Sequence, residues 1–199
     1  MKKTVLMLIT TMLLTACSSD SNPNDGLPPE TQTGANTFGC LIDGKLLVPR
    51  SGNNSVVFPL WGAILWGGIP NIEDYRELEI RDYKSPKSAT LLLHMKKVDS
   101  IGVGNYNIDE SNGMSNIDGL DQNYLHCTIF DEKTNSFQQY VSFDNSGVLK
   151  IKYLKLNGLI ISGTFNCRVR NIQNFDDIIE ITKGRFDIKA STIMQTYFP

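Results

Sequence analysis

The chain is poor in the residues that most enzymes use. Its 199 residues include two histidines, two tryptophans and four cysteines, and 19 basic residues face 21 acidic ones, for a net charge of −2. A nearly neutral chain lacks the basic footprint that nucleic acid requires. No run of like charge exceeds two residues, so no polyanion or acidic-lipid patch is expected. There is no internal repeat, no G-x-S-x-G elbow, no P-loop and no H-E-x-x-H. The stretch GVGNYN, 102–107, lacks the third glycine and the following helix of a nucleotide site. Neither His94 nor His126 has a second His or Cys at metal spacing except Cys127 beside His126, and adjacent strand residues point to opposite faces. Both histidines are therefore expected on the surface or at a rim, with no metal and no cofactor.

What is present begins with an address. Lys2 and Lys3 precede an apolar run from Val5 to Leu14, and Leu14-Thr15-Ala16 lead directly to Cys17. This is the layout of a secretory signal, with an apolar run too short to span a bilayer, which needs about 20 such residues. The cysteine placed directly after Ala16 resembles the lipobox of bacterial lipoproteins, so residues 1–16 are expected to be removed and Cys17 to carry the lipid. Several acyl chains, at about 0.8 kcal/mol per buried methylene, hold far more firmly than one myristoyl chain. Residues 17–36 are rich in Ser, Asn, Pro and Gly and are expected to be a flexible tether, leaving 37–199 as one globular domain.

The domain reads as strands. Gly163, Phe165, Cys167 and Val169 alternate with Thr164, Asn166, Arg168 and Arg170, which predicts a strand with one buried and one wet face. Leu149, Ile151 and Tyr153 alternate with Lys150 and Lys152. Leu78 and Ile80 sit between Glu77, Glu79 and Arg81. Phe38, Cys40 and Ile42 share a side before Asp43-Gly44, a dipeptide suited to a tight hairpin. The segments LLLHMKKV, YLHCTIF and FQQYVSF complete the set, and nothing shows a sustained helical stripe. An all-β, single-domain antiparallel sandwich or a closed or partly open barrel follows, with a calycin-like barrel as the alternative. In IIEITKGRFDIK the parity changes at Lys183-Gly184, which fits either a two-residue hairpin or a one-residue bulge.

Four blocks, TGANTFGCLIDGKLLVP (33–49), VGNYNID (103–109), IISGTFNCRV (160–169) and IEITKGRFDIK (179–189), resemble an uncharacterised envelope lipoprotein family of Bacteroidetes-type bacteria, a domain of unknown function. Leu47 departs from the aromatic residue more usual there. The resemblance implies an all-β lipoprotein of the outer membrane and carries over no catalytic residue. Surface-displayed members of such bacteria often carry a dense acidic cluster after the cysteine; with only Asp20 and Asp25 here, the periplasmic side is favoured over the cell surface.

Other candidates are weighed by position. Cys40, Cys127 and Cys167 share inward parity with Phe, Leu, Ile and Val, so they are read as buried small hydrophobes, with one disulfide as the alternative. The carboxylate pairs Glu73-Asp74, Asp109-Glu110, Asp131-Glu132 and Asp176-Asp177 fall in expected turns. Asn107 to Asn123 reads as a flexible polar loop without the register of a calcium loop. From Ser51 to Ile72 there is no charge, and both tryptophans, Trp61 and Trp66, lie within. That stretch is expected to pack across an end of the domain, or else to line an apolar pocket or partner patch. The functional expectation is a non-catalytic binding or structural module that meets a protein or glycan. A carrier of a small apolar ligand inside a barrel is the alternative, and a hydrolase with an unrecognised carboxylate site a second one.

Overall fold

A computed structural model describes residues 26–53, 55, 57–68 and 73–199. The signal segment and Cys17 lie outside the described residues. Ten strands follow in order: β1 (Thr37–Ile42), β2 (Lys45–Leu47), β3 (Ala63–Gly67), β4 (Tyr75–Arg81), β5 (Thr90–Lys96), β6 (Gly104–Ile108), β7 (Tyr124–Asp131), β8 (Ser136–Lys155), β9 (Ile160–Asn171) and β10 (Ile178–Lys189). Two four-residue helices, α1 (Val98–Ile101) and α2 (Ala190–Ile193), and a 3-10 turn at Asn116–Asp118 complete the elements among the described residues.

The strands make one antiparallel sheet in the order β2-β1-β10-β9-β8-β7-β5-β4-β3, with β6 paired to β8. The sheet curls into a half-barrel, in keeping with the expected all-β class. The chain after β2 reaches across to the end of β4. There Arg50 N–H donates to Arg81 C=O at 3.1 Å and Tyr83 N–H to Arg50 C=O at 2.9 Å, beside an Arg50–Asp82 ion pair. The residues after α2 plug the same region, with Ser51 N–H donating to Phe198 C=O at 2.8 Å.

Irregularities in the ladder produce the curl. The Asp43-Gly44 turn is made with φ of 48° and 74°, the left-handed pair that a two-residue hairpin requires. On β10, Ile181 opposes Cys167 and Gly184 opposes Phe165, so one extra residue is inserted; Lys183 takes φ 54°. The parity change is therefore a bulge within one continuous strand and not a hairpin. It keeps Ile181, Phe186 and Ile188 on the core side. Gly184 is needed because a Cβ there would lie 2.5 Å from the Phe165 ring. On β8 the register shifts twice, between Ser142 and Gly147 and between Ile151 and Tyr153. The second shift corrects the expected alternation: Tyr153 is only half-buried, and Leu154 packs against the core instead.

The interior of the curl is filled. Phe38, Phe165 and Phe186 lie in sequence with ring centroids 5.9 and 6.5 Å apart, joined by Leu78, Ile80, Leu93, Met95, Leu125 and Ile151 in one core. Each such side chain contributes about 1.5–3 kcal/mol on burial. Cys40, Cys127 and Cys167 are free thiols within this core. Burial pushes all three up, Cys167 to about 12, which leaves them as inert space-fillers.

Residues 26–36, expected as part of the tether, belong to the body. They cross the outer face of the sheet as a strap fixed by Asp187 on β10, which is 1% exposed. Its carboxylate accepts the Thr31 hydroxyl at 2.6 Å and the N–H groups of Thr33, Gly34 and Ala35 at 2.9, 2.8 and 3.1 Å. Asn36 extends the strap to α2 by donating to Thr192 and Thr196 at 2.9 and 2.8 Å. Composition misled here because a segment with little apolar surface can still be ordered by a buried carboxylate that offers its many N–H groups an acceptor.

Candidate functional site

The outer face of β4, β5 and β7 carries the most unusual chemistry of the described residues. Antiparallel register sets Glu77 opposite His94 and His94 opposite Tyr124. Alternation with Leu78 and Ile80 sets Glu77 on a wet face, and His94 was expected at the surface or a rim. They are on that face, but residues 109–123 fold over it, and exposure falls to 0% for Glu77, 2% for His94 and 0% for Tyr124. The surface position expected for His94 is thus corrected; His126, partly buried, lies at the edge of the covered zone.

One oxygen of Glu77 organises the cluster. Oε1 pairs with His94 Nδ1 at 2.8 Å and accepts the Asn116 N–H at 2.8 Å and the Tyr124 hydroxyl at 3.1 Å. The second oxygen, Oε2, is buried without a partner. Burial pushes the carboxyl up, but these hydrogen bonds and the nearby His94 outweigh it, so the group is held below the usual carboxylate range. The same burial, together with the charge of Glu77, pushes the Tyr124 hydroxyl well up. Aromatic rings stack along the face: Tyr75 to His94 at 5.0 Å, His94 to Tyr124 at 4.4 Å and Tyr124 to His126 at 6.0 Å, all within 19° of parallel. Burial lowers His126, which therefore stays neutral near pH 7.

Ser111 and His126 are the hydroxyl and imidazole nearest each other at this face. Ser111 Oγ lies 3.3 Å from His126 Nδ1, but it also accepts the Gly113 N–H at 3.1 Å. The carboxylate a triad would require behind the histidine is engaged elsewhere: Glu79 is paired with Arg81 and with the Trp66 indole. Among the described residues no group of three or more His, Cys, Asp or Glu could hold a metal ion. The carboxylate pairs noted in the sequence mostly close turns. Asp74 accepts the Asp99 and Ser100 N–H groups, Asp109 that of Asn145, Asp131 that of Lys133, and Asp177 the Tyr140 hydroxyl.

The two tryptophans separate. Trp66 stands on β3 opposite Glu77, 43% exposed, with its indole N–H 3.5 Å from Glu79, so it flanks the buried row. Trp61 lines a different depression of about 600 Å³ with Ser51, Pro59, Met194 and Tyr197. Ala63 of this apolar stretch enters the core, whereas Val57 and Phe58 are 75% and 79% exposed. The stretch is therefore divided between core and exposed positions.

Glu77 and Tyr124 were not singled out from the sequence and His94 was read as a surface or rim residue, although a signal for burial existed. LLLHM carries apolar residues at consecutive positions, and a strand apolar on both sides is covered on both sides. A comparison of the chain with protein-family models, with curated proteins and with solved structures finds no match.

Proposed function

We propose that this chain is a lipid-anchored protein of the cell envelope whose β body is a non-catalytic binding module. The observation that carries the reading is Cys17 placed directly after a short apolar signal run. The four blocks that resemble envelope lipoproteins point the same way, to the outer membrane and its periplasmic side. The strap adds a physical reason. Because Gly26 already lies against Leu46, nine residue steps separate Cys17 from a residue of the body, a reach of about 30 Å at most. Such an anchor keeps the body next to the lipid surface, where it meets a protein or glycan of the envelope. The filled interior favours recognition at the surface over carriage of an apolar ligand inside a barrel.

The experiment is metabolic labelling with an alkyne palmitate in a bacterial host, followed by fractionation. The parent chain is expected to label and to sediment with membranes, and C17A not to label. A parent chain that stays dark, or a C17A variant that labels equally, overturns the reading.

A further inference from the structure

The loop that covers Glu77 has the construction of a separate moving part. Its base is pinned where Asp109 N–H donates to Asn123 C=O at 2.8 Å and Ser111 N–H to Ser142 C=O at 3.0 Å. Internal bonds keep its shape: the Asn112 amide donates to Asp118 C=O and the Gln122 amide to Glu110 C=O, both at 2.8 Å. A loop with close ends and its own internal bonds is a unit that moves together.

Its hold on the sheet is almost entirely polar. Met114 and Ile117 are 57% and 72% exposed, and of the large apolar side chains between 111 and 123 only Leu120 is half-buried. What fastens the loop is the Asn116 N–H on Glu77, the Lys96 N–H on the Asn123 side chain at 2.9 Å and a Lys96–Asp121 ion pair, helped by the Tyr75 hydroxyl on the Asn116 side chain at 3.4 Å and by Gln139 on Gly113 C=O at 3.1 Å. Contact is close as well, since a Cβ on Gly119 would lie 2.0 Å from the Tyr124 hydroxyl oxygen.

We infer that residues 111–123 are a lid, latched by Glu77, that opens as one unit while the sheet beneath stays folded. The sheet keeps its apolar core when the lid lifts, whereas the lid gives up little apolar contact. Opening removes one of the three partners of Glu77 Oε1, leaving His94 and Tyr124 on it, beside an oxygen that already lacks a partner, and it uncovers the edges of the stacked Tyr75, His94, Tyr124 and His126 rings. In a molecule whose interior is full, the result is a polar, aromatic slot gated by its own cover.

Amide hydrogen exchange of the full-length chain, read by NMR at Asn116 in the lid and Leu93 in β5, tests this. The parent is expected to exchange Asn116 much faster than Leu93. Glu77→Gln, which keeps shape and removes charge, is expected to speed Asn116 about 10-fold or more, since hydrogen bonds to charged groups are the stronger ones, with Leu93 unchanged. Gly119→Ala, which crowds the lid off Tyr124 without touching the carboxylate, is expected to speed Asn116 likewise. Asn116 and Leu93 exchanging at one common rate in the parent would overturn the lid. So would Asn116 exchange in Gly119→Ala equal to the parent's, whether or not Glu77→Gln folds.

Discussion

Replacing Asp187 by Asn tests how the strap is held. The carboxylate takes the Thr31 hydroxyl and three successive main-chain N–H groups between 2.6 and 3.1 Å, at a position 1% exposed. An amide that keeps its oxygen where Oδ2 serves Thr31, Thr33 and Ala35 turns its NH2 group toward the Gly34 N–H, so that contact is lost, and loss of the charge weakens the other three, a total equal to about two of these contacts. Hydrogen bonds to a charged group contribute about 1.5–3 kcal/mol each, so two of them come to roughly 3 kcal/mol at the lower edge. For a body of this size 1 kcal/mol moves Tm by about 2–4 °C, so D187N should melt roughly 6–12 °C below the parent at pH 7. The difference must also depend on pH. Burial pushes Asp187 up, but the Thr31, Ala35, Thr33 and Gly34 donors outweigh it and hold the group below its ordinary value. Its stabilisation is therefore complete above the unfolded value near about 3.9 and is lost as pH falls through the lower folded value. The assay is thermal unfolding by circular dichroism from pH 7 to pH 2.5, with limited proteolysis within 26–35 as a local readout. Parent and variant melting within about 1 °C at pH 7, or a gap that stays constant down to pH 2.5, refutes the reasoning.

Gly184→Ala should destabilise the body by about 1–3 kcal/mol, because the new methyl meets the Phe165 ring; urea unfolding measures it, and a midpoint unchanged from the parent refutes the close approach. Cys40, Cys127 and Cys167 should resist iodoacetamide at pH 8 in native buffer and react fully in about 6 M guanidinium, with no two-dalton mass change on reduction; native labelling of any of them contradicts the core assignment. His126 has a folded pKa lowered by burial. Its neutral form therefore contributes stability present above the unfolded value near about 6.5 and lost as pH falls through the lower folded value. Protection of the Ser111 and Gly113 amides, corrected for the pH dependence of intrinsic exchange, should fall over that acid window in the parent and show a flatter profile in His126→Gln, as amide exchange followed between pH 7 and pH 5 will report.

Much of the fold was legible along the chain because each core strand faces one way. Phe165, Cys167 and Val169 announce their burial by alternation, and Asp43-Gly44 announces its turn by the positive φ that only such residues take readily. The bulge at Lys183 was visible as a change of parity, but a hairpin gives the same change, and only pairing with β9 distinguishes them. The slip at Tyr153 left no trace, since inserting one residue into β8 depends on the neighbouring strand and not on β8's own residues.

The candidate site was legible only in its parts. Trp66 stood out by composition, and the sequence placed Glu77 and His94 on the outer faces of their strands; that was correct as a direction and wrong as an environment. Whether an outer face is wet depends on what folds over it, and the covering residues, 109–123 above Glu77 and 26–36 above Asp187, are polar segments with no periodicity. Local sequence determines which way a side chain points, because the pleat repeats every two residues. Burial is decided by contacts between residues far apart in the chain: Asn116 reaches Glu77 and Thr31 reaches Asp187 only after the sheet has curled and the two covers have closed over it.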